Sequence, residues 1–241
     1  MSSHHDPAAA LEKSLRELDI EYVDVFMMHW PAAMTPDGKP MEYPGKPAYW
    51  ETWKMMEKLV GEKCRGIAVS NFTQKLLERL LQDASVLPVV NEVELHALNP
   101  NLKLVPYCHD KGIQVVSWST LGGQFPGRPS NPCLTNPLFI EMGKEHGVSA
   151  GVISLSWAVQ RGIVVIPKSS NLGRIEENIR LVTLSEDEME RLNNAQTTVG
   201  KMRLSDDIEP MKFEMVPGKK TILGWTAVDF GWEDEEGNWL C

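Results

Sequence analysis

The sequence predicts an α/β fold of the (β/α)₈ TIM-barrel type, truncated to about the last five βα units plus a C-terminal helix and loop. Short apolar strands alternate with amphipathic helices, which indicates a parallel sheet buried on both faces. Polar residues cluster directly after the strands, as they do on the catalytic rim of such barrels. No GxGxxG turn is present, which disfavours an open doubly wound sheet.

The first half of the chain opens on a helix over Pro7–Leu18. Leu11, Leu15 and Leu18 recur there at helical spacing, and Asp6 is placed to cap the N-terminus. The apolar runs that follow switch between the period of a strand and that of a helix. They predict a strand over 22–28, a helix over 49–60, a strand over 65–69, a helix over 74–81 and a strand over 88–93.

The second half continues this alternation and ends in a tail with little periodicity. Ser185, followed by three acidic residues, caps a last helix that runs through Asn194. Residues 1–241 are expected to form one domain that is incomplete at its N-terminus, with 200–241 as a lid-like tail. The elements predicted before Ser185 are helices over 101–111, 138–146, 150–161 and 172–181 and strands over 113–118 and 164–166.

An anion-binding loop is predicted at 164–178, where the sequence reads VVIPKSSNLGRIEEN. Its apolar start indicates a short buried strand, which Pro167 ends because proline cannot donate to a sheet. Lys168 adds a positive charge where the N–H groups of the next helix, capped by Asn171, point outward. Arg174 can grip a phosphate at two points. The alternative is an ordinary βα junction with a basic cap.

Composition excludes several classes of protein. A net charge of −9 and a pI near 5.2 argue against a nucleic-acid binder, which needs a broad basic face. The four cysteines are scattered without a CxxC, so neither a metal site nor a disulfide framework is indicated. We find no membrane-spanning stretch and no signal peptide, which predicts a cytoplasmic protein.

The motifs in their order resemble the aldo-keto reductases, in particular the fungal, glycerol-dehydrogenase-like branch. They are LDIEYVDVFMMHWP, GIAVSNF, VVNEVELH, VVSWSTLGG and VVIPKSSNLGRIEEN, and the resemblance spans residues 7–184. Each motif is modest by itself, but five in the family's order are not a coincidence. The resemblance implies a (β/α)₈ barrel that uses NADPH to reduce an aldehyde or ketone, or runs in reverse on a polyol.

Two neighbouring residues match the family's substrate site. His29 matches the histidine that orients the substrate carbonyl, and Trp30 matches an aromatic wall of the pocket. From the sequence alone, the alternative for His29 is a core histidine at a strand end. The tail is interpreted as the family's lid, with surface packing as the alternative, because it carries Trp225, Phe230, Trp232 and Trp239.

The cofactor residues are likewise implied by the resemblance. Ser70 and Asn71 match the pair that binds the nicotinamide carboxamide, and Trp118 stands where a tyrosine usually stacks on the nicotinamide ring. Glu92 replaces the family's common glutamine; it can accept from the carboxamide but cannot donate to it, and its charge could shift the redox balance. Ser119, Leu121, Gly122 and Gly123 match the pyrophosphate stretch, and Lys168, Ser169, Arg174, Glu177 and Asn178 match the adenosine 2′-phosphate site.

The larger departure concerns the catalytic tetrad. In the family, an aspartate, a proton-donating tyrosine and a pKa-lowering lysine accompany the histidine, and these three have no counterpart in the 241 residues. Weak or absent catalysis is therefore expected. Three hypotheses follow: a reductase represented here by an incomplete gene product, a non-catalytic NADPH-binding module, and an interaction fragment that self-associates or completes its sheet with another chain through open edges.

Overall fold

The structure, a computed structural model, describes residues 4–123, 130–207, 211–216 and 219–240. The expected domain 1–241 and tail 200–241 therefore include positions outside the described residues. Contacts divide the chain into two compact units. The first unit comprises Met1–Glu92, Lys103–Gln114 and Ile208–Cys241, and the second comprises Val93–Leu102 and Val115–Asp207.

The main sheet has five strands in the order β1-β2-β3-β4-β5, so neighbours along the chain are neighbours in the sheet. Strand β2 pairs in parallel with both β1 and β3, and β4 pairs in parallel with β5. Sequential parallel pairing of this kind is the pattern of a (β/α)₈ barrel. The strands are β1 (Val23–Met28), β2 (Cys64–Ser70), β3 (Val90–Glu94), β4 (Gln114–Trp118) and β5 (Val164–Val165).

The expectation that every strand is buried on both faces is wrong at the ends of the sheet. In β2 only Arg65 is exposed, whereas Val25 in β1 is 40% exposed. Val164 and Ile166, predicted as parts of a buried strand, are 46% and 52% exposed. The reason is position: β2 has a neighbour on each side, and β1 and β5 each have one.

Helices appear where the sequence predicts them, with differences at their ends. The Asp6 cap of the first helix is confirmed, since its carboxylate accepts from Ala9 N at 2.9 Å. Ser185 likewise caps its helix, with Glu188 completing a capping box. Leu18, however, is 61% exposed and lies off the buried stripe. The long helices are α1 (Pro7–Leu18), α2 (Tyr49–Glu57), α3 (Gln74–Asp83), α4 (Leu104–Asp110), α6 (Pro137–His146), α7 (Ala150–Gln160), α8 (Leu172–Asn178) and α9 (Glu186–Asn193).

Two of these helices are shorter than predicted for identifiable reasons. Helix α4 begins three residues late because Asn101 adopts a left-handed φ of 49° and donates its side-chain amide to Glu94 O. Helix α8 ends at Asn178 and buries none of its residues, so no packing extends it toward Ile179 and Leu181, which are both exposed.

Several short elements are not predicted by the periodicity of the sequence. Helix α5 (Pro132–Thr135) and helix α10 (Ala195–Thr198) are too short to show a period, and a 3₁₀ turn covers Leu204–Asp207. In the tail, β6 (Lys212–Val216) and β7 (Lys219–Ile222) form an antiparallel pair, and α11 (Ala227–Phe230) follows. The tail in its described parts is thus structured.

Each unit has its own core. In the first unit, aromatic residues of α2 and of the segment before it meet the tail. Trp225 lies 4.9 Å from Tyr43, which precedes α2, and 6.1 Å from Tyr49 of α2, measured between ring centroids. In the second unit, Trp157 is fully buried and donates to Asn193 Oδ1 at 2.9 Å. None of the described helices is long and apolar enough to cross a membrane. Cys64, Cys108 and Cys133 are buried and unpaired.

We predict that Gly224→Ala destabilises the protein more than Gly38→Ala does. Both glycines have left-handed φ values, 91° and 81°, so both alanines carry a similar backbone strain of about 1 kcal/mol. A Cβ at Gly224 would lie 2.5 Å from Met41 O, whereas nothing lies within 4 Å at Gly38. The additional overpacking should cost about 1–3 kcal/mol. Urea unfolding of both variants measures the difference, and equal losses would contradict the close contact.

Candidate active site

The carboxyl ends of β1, β2 and β3 bring together four of the predicted site residues in the first unit. Met28, the residue before His29, is in register with Val69, and Ser70 is in register with Glu92. Side chains tie the strand ends further, because Ser70 Oγ donates to Glu92 O at 2.8 Å and Asn71 Nδ2 donates to His29 O at 2.8 Å. His29, Ser70, Asn71 and Glu92 are therefore linked across three strands.

Asn71 has an unusual backbone for a non-glycine residue. Its φ is 65°, in the left-handed region that asparagine tolerates better than most residues. Its backbone N donates to Glu92 O at 2.8 Å, and its side chain also reaches Ser70 Oγ at 3.1 Å. A buried polar residue held in such a conformation by several hydrogen bonds is typical of a functional site.

The two titratable groups of this set favour their neutral forms more than they would in water. Desolvation lowers the pKa of His29, although the residue is exposed on the surface. Desolvation also raises the pKa of the half-buried Glu92. A neutral imidazole at neutral pH can donate one hydrogen bond, for example to a carbonyl oxygen.

Trp30 lies beneath the tail. It is only 3% exposed, and its ring meets Phe230 edge-on at 5.8 Å and Trp232 edge-on at 6.4 Å. Phe230 and Trp232 stack on each other at 4.3 Å. In this conformation the wall predicted for Trp30 is covered by the two tail aromatics.

In the second unit, the loop after β4 carries the predicted pyrophosphate residues. Trp118 ends the strand, and Ser119 follows with a left-handed φ of 55°. The loop is held by Asn131, whose Nδ2 donates to Leu121 O at 2.6 Å and to Gly123 O at 2.7 Å. A left-handed φ is unfavourable for serine. The hydrogen bonds from Asn131 therefore hold the loop in a conformation that its own sequence does not favour.

The junction between β5 and α8 has the capped architecture predicted for an anion site. Asn171 caps the helix by accepting from Arg174 N at 3.0 Å, and Ser169 Oγ accepts from Asn171 N at 3.1 Å. Arg174 Nε lies 3.4 Å from Ser169 Oγ, so the guanidinium is near the cap. Lys168 and Arg174 are both exposed. The structure thus places both cations on a solvent-facing junction.

Glu177 makes a contact that the sequence did not indicate. Its Oε1 accepts from Ser149 N at 3.1 Å, next to the start of α7. Glu177 and Asn178 are both half-buried in α8. Part of the hydrogen-bonding capacity assigned to an adenine edge is thus used within the protein.

Sequence reasoning missed the role of a buried pair at the end of β3, formed by its last residue Glu94 and by His96. Glu94 Oε1 lies 3.1 Å from His96 Nε2, and Glu94 Oε2 accepts from Ser205 N at 3.1 Å and from Ser205 Oγ at 2.9 Å. Burial lowers the pKa of His96, but the Cys133 sulfur and the Glu94 carboxylate outweigh it and raise that pKa to about 9. The only local signal was two polar residues after an apolar strand.

The Aldo/keto reductase family model matches residues 3–197 of the chain. The chain therefore belongs to the aldo/keto reductase family, and its fold is a partial (β/α)₈ barrel, as the sequence predicted. Among the residues that the structure describes, no group of three or more His, Cys, Asp or Glu is placed to hold a metal ion.

Particular relatives support this assignment. The chain is 36% identical over 221 residues to glycerol 2-dehydrogenase (NADP(+)) of Saccharomyces cerevisiae, covering 84% of this chain and 69% of the yeast protein. It is 34% identical over 223 residues to aldehyde reductase YPR1 of the same yeast, covering 85% of this chain and 70% of that protein. The crystal structure of a Bombyx mori aldo-keto reductase in complex with NADP matches with a TM-score of 0.72 and 30% identity, over 85% of this chain and 67% of that one.

We predict that the protein loses stability as the pH rises from about 6.5 to 9. The pKa of His96 is higher in the folded state than the ordinary value near 6.5, so its stabilising contribution is complete below pH 6.5 and disappears as the pH passes 9. The loss should be about 3 kcal/mol at most. Urea unfolding at several pH values measures it. His96→Gln should flatten this dependence, whereas the same change at the exposed His109 should not; an unchanged slope in His96→Gln would refute the assignment.

Proposed function

We propose that residues 1–241 act as one oxidoreductase domain that binds NADP(H) and belongs functionally with enzymes that reduce aldehydes and ketones to alcohols. The observation that carries this proposal is the linked set His29, Ser70, Asn71 and Glu92 at three adjacent strand ends, in a chain of this family. The names of the yeast and silkworm relatives, which mention NADP, an aldehyde and an alcohol substrate, support it.

Three residues at or near the ends of β2 and β3 are assigned to the nicotinamide end of the cofactor. Ser70 and Asn71 would hold the carboxamide, and Glu92 would accept from its amide nitrogen. A carboxylate there also places partial or full negative charge near the ring, which favours the oxidised, cationic form. The raised pKa of Glu92 moderates this effect, because it increases the neutral fraction.

The remaining cofactor residues are assigned from the family resemblance. Trp118 would stack on the nicotinamide ring from its strand end, and Ser119 and Leu121 would line the pyrophosphate. Lys168, Ser169 and Arg174 would bind the 2′-phosphate, since a capped helix start with two nearby cations attracts an anion. Glu177 and Asn178 would contact the adenine.

His29 is the chain's own contribution to the chemistry. When bound, the reduced nicotinamide would supply hydride to the carbonyl carbon of the substrate, and the carbonyl oxygen would take up a proton. A neutral His29 can donate a hydrogen bond that orients and polarises the carbonyl. The family's tyrosine and lysine have no counterpart in these 241 residues. We therefore propose that the 241 residues by themselves turn over substrate about 10² to 10⁴ times more slowly than they would with a general acid in place.

The tail contributes to substrate selection in this proposal. Phe230 and Trp232 cover Trp30, directly after His29, so a substrate that reaches His29 meets an aromatic surface. Residues 200–241 would therefore act as the cover of the carbonyl site, as proposed from the sequence. Small carbonyl compounds or polyols are the proposed substrates, and the cytoplasm is the proposed compartment.

A second candidate function is a non-catalytic NADPH-binding module or an interaction fragment. The strand order favours it, because β1 and β5 end the described sheet and an unpaired strand edge can pair with another chain. Both strands also expose an apolar residue, Val25 and Val164. Sedimentation over a range of concentrations tests the interaction fragment. A monomer at all concentrations argues against self-association through these edges.

We predict that Arg174→Met weakens NADPH binding about tenfold to a hundredfold and leaves NADH binding nearly unchanged. The reason is that NADH lacks the 2′-phosphate, and a charged hydrogen bond contributes about 1.5–3 kcal/mol. Fluorescence titration with both cofactors measures the effect. Arg16→Met removes an exposed arginine from α1 and serves as the matched control. Equal weakening of both cofactors would place Arg174 away from the 2′-phosphate.

We predict that the 241-residue chain binds NADPH but oxidises it slowly or not at all when a reactive aldehyde is added. Absorbance at the reduced nicotinamide band, followed in the same cuvette as the binding titration, measures turnover. Rapid decay that is lost in His29→Ala would show that a general acid is supplied by residues other than the family's tyrosine. Absence of binding would refute the cofactor proposal itself.

A further inference from the structure

The last helix of the chain is fastened to the start of α3, within the first unit. Thr73 Oγ1 donates to Phe230 O at 2.5 Å, and Lys75 Nζ donates to Val228 O at 2.9 Å. Both carbonyls belong to α11, whose last carbonyls have few partners within so short a helix. Two side chains of α3 and its cap therefore satisfy the C-terminal end of α11.

The Thr73 side chain makes this contact and does not cap helix α3. It occupies the N-cap position of α3, where a threonine hydroxyl usually accepts from a backbone N–H of the first turn. No such capping bond is made by the Thr73 side chain. The hydroxyl is turned instead toward Phe230, and both residues are buried. The local sequence therefore predicts a helix cap, while the structure uses the residue as a tie between distant segments.

The contact leaves little room for movement. Gly231, which follows Phe230, has a left-handed φ of 74° and ends α11. A Cβ at Gly231 would lie 3.1 Å from Thr73 Oγ1 and 3.1 Å from Lys75 Cβ. Glycine is thus required both by the backbone and by the close approach of α3.

The segment between β2 and α3, which ends at Thr73, also contacts the candidate active site. Asn71, two residues before Thr73, donates to His29 O, and Trp30 then contacts Phe230. Phe230 is therefore held by Thr73 through its carbonyl and by Trp30 through its ring. The tail aromatics and the Ser70–Asn71 pair are joined by a continuous set of short contacts.

We propose that Thr73 is a positioning residue: its hydrogen bond to Phe230 O fixes the tail aromatics and the Ser70–Asn71 pair with respect to each other. The tail in this region is a fixed wall rather than a free lid, and loosening it loosens the carboxamide site. The inference rests on the proposed function only for its binding readout. The mechanical coupling between the two segments stands on the geometry alone.

The test compares Thr73→Val, which removes the donor at nearly constant shape, with Thr73→Ser, which keeps it. Hydrogen–deuterium exchange is measured in segments 70–75 and 225–232, and NADPH affinity by fluorescence. We expect faster exchange in both segments and about five- to tenfold weaker NADPH binding in Thr73→Val, with Thr73→Ser within about twofold of the original. Thr221→Val is the matched control, since Thr221 Oγ1 donates to Phe213 O at 2.5 Å within the tail.

The outcomes separate the proposals. Faster exchange at 225–232 with unchanged exchange at 70–75 and unchanged NADPH affinity would overturn the coupling. If the original protein binds no NADPH, the proposed function fails, and exchange at 70–75 still decides the role of Thr73. If Thr73→Val does not fold, Lys75→Met removes the second tie and should speed exchange in the same two segments; exchange limited to 225–232 would again overturn the inference.

Discussion

The candidate active site depends on the parallel pairing of β2 with both of its neighbours. This pairing places the carboxyl ends of β1, β2 and β3 side by side, in the register Met28 with Val69 and Ser70 with Glu92. Because parallel strands end on the same edge of a sheet, polar residues far apart in sequence become neighbours there. The side-chain bonds of Ser70 and Asn71 then convert that proximity into a fixed geometry.

Rigidity at the strand ends is obtained from side-chain hydrogen bonds rather than from apolar packing alone. Asn71 and Ser119 each hold a left-handed backbone after a strand, and each lies in a loop fixed by side-chain hydrogen bonds. Left-handed residues other than glycine cost free energy, so the surrounding contacts must compensate. Such positions orient N–H and C=O groups with little entropy left to lose when a ligand binds.

The aromatic residues of the tail show that tertiary contacts, and not local sequence, decide whether a side chain is exposed or buried. From the sequence, the four aromatic residues of the tail are interpreted as part of the family's lid, with surface packing as the alternative. In the structure Trp225 and Phe230 are fully buried, and Trp30 lies beneath the tail. The aromatic residues thus form part of the core of the first unit, and the surface they offer near His29 follows from that packing.

The sequence by itself determined the class of fold, the order of the elements and most helix starts, because periodicity and capping act over a few residues, as at Asp6, Asn171 and Ser185. Through the family resemblance, its motifs also named the residues that are proposed for the candidate site. Only the tertiary structure decided the exposure of Val164, the partner of Glu177, the burial of Trp30 and the use of Thr73. These depend on contacts between residues far apart in the chain, 157 positions for Thr73 and Phe230, and no local pattern encodes which distant carbonyl a hydroxyl will meet.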